Sequence, residues 1–66
     1  MCNNMDYLLR AENYAIDKGD GDWFKMYYTD YRGWFNVEES VWRTLTWLYD
    51  EDTANLLKYQ YCEVKL

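Results

Sequence analysis

The sequence predicts a small α+β domain in which a helix packs on a three-stranded, mostly antiparallel sheet, in the order α-β-β-α-β. Three observations carry that expectation. Aromatic residues alternate along Trp23–Thr29 and return at Trp34–Val37 after the turn-forming run Asp30-Tyr31-Arg32-Gly33, the period of a half-buried hairpin. From Val37 to Tyr49 the period changes to about 3.6 residues, which marks an amphipathic helix. Near the end of the sequence Cys62, Val64 and Leu66 alternate with charged neighbours, as in a third strand.

The first helix is expected from about Met5 to Asp17. Asn3 or Asn4 can cap it, Asp6 suits the positive pole of its first turn, and Met5, Leu8, Leu9, Ala15 and Ile16 share a face. Glu12 interrupts that face, and Leu8, Ala11 and Ala15 form a second seam. Lys18 and Gly19 then make a stop, with a cation in the last turn followed by a residue free to take positive φ. Asp17–Asp22 (DKGDGD) is the one glycine-rich acidic segment. Set against an EF-hand loop, two of its ligand positions fall on Gly19 and Gly21, so the segment is expected to be a flexible turn and not a calcium site.

In the hairpin, Phe24, Met26 and Tyr28 are the more apolar set and are assigned to the core, while Trp23, Lys25, Tyr27 and Thr29 point away. Asp30–Gly33 suits a type I turn with Gly33 in the left-handed position. The return strand, Trp34 to Asn36 or Val37, is short, and it leaves either Trp34 or Phe35 outside.

Asn36-Val37-Glu38-Glu39 has the form of a capping box, with Asn36 accepting from the third helical N–H and Glu39 reaching back. The helix that follows, about residues 37–49, carries Val37, Val41, Trp42, Leu45, Leu48 and Tyr49 on one stripe and Glu39, Arg43 and Thr46 opposite. Trp47 belongs to neither group. Asp50, Glu51 and Asp52 bring negative charge to the helix C-terminus, where it opposes the dipole, so the helix is expected to stop by Asp50. Asp52 or Thr53 can cap a short turn over Ala54–Leu57, and Tyr59–Leu66 then joins the sheet after the helical crossover. The main rival is an all-helical reading of residues 37–62.

Sixty-six residues make one domain, residues 1–66. The net charge is −5 and no basic stripe is present, which disfavours direct binding to nucleic acid or to an anionic membrane. No apolar run approaches the length of a membrane span, and MCNNMDYLL lacks the basic start of a signal peptide, so a soluble, cytoplasmic protein is expected. Cys2 and Cys62 are accordingly expected as free thiols. Without histidine, Ser-His-Asp and Cys-His catalysis and the usual mixed zinc sites are ruled out. Carboxylate pairs such as Glu38/Glu39 and Asp50/Asp52 fit a solvated face better than a walled catalytic cleft. No enzyme activity, metal or cofactor is expected.

Four tryptophans, eight tyrosines and two phenylalanines are more aromatic area than so small a core can hold. Tyr and Trp dominate binding hot spots because they bury large area with few rotors and keep a polar handle. Trp23, Tyr27, Tyr31, Trp34 and Trp47 are therefore the candidate anchors, and Glu51 and Asp52 the candidate steering charges. The expected partner is a protein with a basic surface, of which nucleic-acid-binding grooves are common examples. In size and composition the chain resembles the small acidic inhibitors that phages make against host enzymes and immune complexes, some anti-CRISPR proteins among them. That resemblance implies a protein-binding inhibitor. Two other classes compete with it: a carbohydrate-binding module using exposed rings, and a structural homodimer.

Overall fold

The sheet is not there. In a computed structural model that describes the backbone of residues 4–63 and the side chains of residues 6–58, the described residues form four helices and no strand. These are α1 (Asn4–Asp17), α2 (Gly21–Arg32), α3 (Val37–Leu48) and α4 (Glu51–Glu63). The molecule is all-α, and the α+β expectation is corrected at two places.

The first is the supposed hairpin, which is α2 and the connection after it. A segment with aromatic or apolar residues at nearly every second position also has them at every fourth, so the period alone cannot separate strand from helix. Thr29 is the only β-branched residue between Gly21 and Arg32, and the helix closes on ring pairs one turn apart. Phe24 stacks on Tyr28 with centroids 6.0 Å apart, and Trp23 on Tyr27 at 6.2 Å. Of the residues assigned to the core, Phe24 is fully buried and Tyr28 partly so, while Met26 turns to solvent. Gly33 is not left-handed: its φ is −69°, and its N–H and that of Trp34 extend the helix end by bonding Asp30 and Tyr31 carbonyls.

The second is the end of the chain. Asp50 accepts from the Thr53 N–H at 2.7 Å and so starts α4, three residues before the turn expected at Ala54. The charges at Asp50, Glu51 and Asp52 serve the N-terminal pole of α4, where they are favourable. Residues 59–63 of the expected strand continue that helix. Val64 and Leu66 lie outside the described residues, as does the side chain of Cys62 and all of Cys2.

The helical boundaries predicted for the rest hold. α1 ends in a Schellman motif, the Asp20 N–H bonding Ala15 O at 2.7 Å and the Gly19 N–H bonding Ile16 O at 3.0 Å, with Gly19 at φ +81°. α3 begins with the Asn36 side chain accepting from the Glu39 N–H at 2.8 Å. The reciprocal half of the capping box is absent because the Glu39 carboxylate instead pairs with Arg43 at 2.8 Å.

α1 and α3 each pack against all three other helices, while α2 and α4 do not meet among the described residues. The shortest extent of 17 Å corresponds to two helix layers. α3 is consequently buried around much of its middle, with Ser40, Val41, Thr44 and Leu45 all at 0% exposure. Ser40 and Thr44 are tolerated there because each hydroxyl donates to the carbonyl one turn back, at 2.6 and 2.7 Å. From α1 the second seam is the one used: Ala11 and Ala15 are fully buried, their small side chains allowing close helix approach, whereas Leu9 and Ile16 are exposed. Tyr7, not foreseen as core, is buried with its hydroxyl donating to Ala54 O of α4 at 3.0 Å. Phe24, Ala54 and Leu57 complete this core.

Candidate functional site

α2 and α3 are joined by four residues and run antiparallel. Tyr27 in α2 meets Trp47 near the end of α3, while Phe35, just past the other end of α2, lies under Arg43 in the middle of α3. Two lines of side chains, Trp23-Tyr27-Tyr31 on α2 and Glu39-Arg43-Trp47 on α3, therefore face one another along the outside of this pair.

At one end the three rings Trp23, Tyr27 and Trp47 form a continuous cluster. Trp23 and Tyr27 are nearly parallel, at 21°, and Trp47 meets the Tyr27 ring edge-on with centroids 5.8 Å apart. Both indoles stay open to solvent, Trp23 at 53% and Trp47 at 63% exposure. An indole in a well-packed small domain is rarely left this open without a use, and here two lie on one surface. At the other end Tyr31 tilts against Phe35 at 6.2 Å, and the Arg43 guanidinium lies 4.2 Å over the Phe35 ring while bonding Glu39.

Of the residues expected to bind a partner, the fold brings Trp23, Tyr27 and Trp47 into contact and places Tyr31 on the same line. Trp34 stands apart in the α2–α3 connection, 84% exposed and without a ring partner among the described residues. Glu51 and Asp52 are exposed in the first turn of α4, directly after the α3 end that carries Trp47. Asp20 and Asp22 lie at the start of α2 beside Trp23 in the chain, and the Tyr49 hydroxyl, donating to Asp20 Oδ2 at 2.9 Å, draws the two acidic ends together. Burial, then the hydrogen bond to Asp20 and its charge, holds the Tyr49 phenol well above the ordinary range for tyrosine.

Sequence reasoning missed Asp20, Phe35 and Arg43. The spacing of Glu39, Arg43 and Trp47, each one helical turn apart, was a usable signal for the second line. Phe35 carried none, because its place beneath Arg43 depends on how the connection folds back. Next to the Glu39 end of that line, a groove is lined by Asn36, Glu38, Glu39, Trp42 and Lys58. Its carboxylates are each paired, Glu38 with Lys58 and Glu39 with Arg43, and the Trp42 indole donates to Asn55 Oδ1 at 2.9 Å. Among the described residues no group of three or more His, Cys, Asp or Glu is placed to hold a metal ion, and no helix is long and apolar enough to cross a membrane.

Compared with protein-family models, curated proteins and solved structures, the chain finds no match.

Proposed function

We propose that this chain is a non-enzymatic protein-binding module that docks the outer face of α2 and α3 on a basic surface of another protein and acts by occupying it. The observation that carries this reading is the cluster of Trp23, Tyr27 and Trp47, assembled from two helices with both indoles more than half exposed. Rigid rings held by helices cost little conformational entropy on binding, which is what makes such clusters interface hot spots. The net charge of −5, with Asp20, Asp22, Glu51 and Asp52 at the same end of the helix pair, favours a basic partner and speeds its approach. Tyr31 extends the anchor line, and Trp34 supplies a separate contact beyond it. Inhibition of a nucleic-acid-binding protein, in the manner of phage inhibitors, is the finer form of this proposal, since occupying a basic groove excludes nucleic acid from it.

The test is competition on candidate basic targets, with wild type and Trp47→Ala compared side by side. Wild type should displace nucleic acid from the target, and Trp47→Ala should need at least ~10-fold more protein to do so. Charge removal at Glu51 and Asp52 should slow association, with the difference shrinking as salt rises. A partner whose contact surface is acidic would sink the proposal.

A further inference from the structure

The α2–α3 face already shows how it handles a guanidinium. At its Phe35 end Arg43 lies 4.2 Å over an aromatic ring while Glu39 accepts from its Nε at 2.8 Å, so stacking and charge are both satisfied within the chain. The Trp23 end has the same two components in greater supply: two indoles and a phenol for stacking, with Asp20, Asp22, Glu51 and Asp52 at the adjoining helix ends. Among the described residues no lysine or arginine lies over Trp23, Tyr27 or Trp47; the two that do cover rings are Lys18, over Tyr14, and Arg43.

We infer that the Trp23-Tyr27-Trp47 cluster is a receptor for an arginine side chain projected from a basic segment of the protein partner. The inference rests on the docking face proposed above and adds the chemistry that the face selects. Arginine is favoured over lysine for a physical reason. Its guanidinium is planar and weakly hydrated, so it lies flat on an indole and still offers in-plane N–H groups to carboxylates such as those at the adjoining helix ends. A lysine ammonium is a compact, strongly hydrated ion and gains less from an open ring. The indoles are best suited to this, since tryptophan gives the strongest cation–π attraction of the aromatic residues.

The experiment titrates the full chain with a short glycine-spaced arginine peptide and with its lysine counterpart of equal charge, following the indole N–H resonances. The arginine peptide should move the Trp23 and Trp47 signals, leave Trp42 in place, and bind about 10-fold more tightly than the lysine peptide. Trp47→Ala and Trp23→Ala, each checked for unchanged helicity, should bring the two peptides to within about two-fold of each other, by loss of the stacking surface. Leu56→Ala, which removes an equally exposed apolar side chain from α4, should leave the preference intact. Equal affinities with shifts at Trp23 and Trp47 would overturn arginine selection while leaving the docking face standing. Shifts confined to other tryptophans, or binding by neither peptide, would remove both.

Discussion

The Tyr49 hydroxyl donates to Asp20 Oδ2 at 2.9 Å, tying the end of α3 to the residue that precedes α2. Tyr14 meets the same tyrosine edge-on at 5.2 Å, so the contact joins three helices at one corner of the bundle. Tyr49→Phe keeps the ring packing and removes the hydrogen bond. It should lower stability by ~1 kcal/mol in a urea melt at neutral pH, and an unchanged midpoint would show that the bond is not made in solution.

Tyr7 and Tyr49 give the protein an alkaline limit. Burial, with a smaller push from Glu38, raises the Tyr7 phenol well above its ordinary value, and Tyr49 is raised in the same direction. A phenol that titrates later in the folded state stabilises fully below its unfolded value near pH ~10 and loses that contribution as pH rises further. Once the unfolded chain has released the proton and folded Tyr7 has not, stability should fall by ~1.4 kcal/mol per pH unit from that residue alone. Denaturant melts from neutral pH to about pH 11 should show this decline, and Tyr49→Phe should make it shallower.

Asp50 contributes on the acid side. Its bonds from the Thr53 hydroxyl and N–H hold its carboxyl below the usual range. The stabilisation is present above the unfolded carboxylate value near pH ~4 and is lost as pH falls through the lower folded value. Asp50→Asn retains a capping oxygen without the charge, so its stability curve should be flatter than wild type across that acid window. Parallel curves would show that another carboxylate dominates.

Leu45 is fully buried in the middle of α3, one of the two helices that touch every other helix. Leu45→Ala should cost ~2 to 5 kcal/mol. Val41, adjacent on the same buried side, should respond less to truncation because fewer atoms are removed. A loss below about half a kcal/mol at Leu45 would contradict the placement of α3 at the core.

Trp47→Ala should leave the fold almost untouched. The indole is 63% exposed, and its edge contact with Tyr27 is worth at most ~1.5 kcal/mol. Thermal unfolding of the variant within a few degrees of wild type would meet this expectation; collapse of the transition would make the indole structural and remove it from the docking face.

Much of the local grammar was legible. The Lys18-Gly19 stop, the Asn36 cap and the Val41 and Leu45 stripe all depend on side chains acting within a few residues of themselves, and each is found where the sequence places it. α2 was not legible, because eight aromatic or apolar side chains crowded into residues 23–35 satisfy a strand period and a helix period together. The scarcity of β-branched residues there was the signal to weigh. α4 was mistaken because Asp50-Glu51-Asp52 was charged against the helix behind it when it caps the helix ahead. Choosing between the two seams of α1 required knowing which face the other three helices cover, and they cover the one with Ala11 and Ala15. The rings of the candidate site were found for a reason independent of fold: surplus aromatic area has to surface somewhere, and Trp47 is off the α3 stripe whatever it packs against.

α2 has one fully buried side chain, Phe24, and among the described residues it does not touch α4. The helix that supplies Trp23 and Tyr27 is thus a flank of the bundle, and its release withdraws Phe24 from the core but leaves the contacts that α1, α3 and α4 make with one another. Such a segment opens by local unfolding at a free energy below that of the whole molecule, so its amide protons should exchange sooner than those of α3. A partner seated across α2 and α3 would clamp this flank, and part of its binding energy would appear as slowed hydrogen exchange along α2, on a side of the helix that the partner never touches.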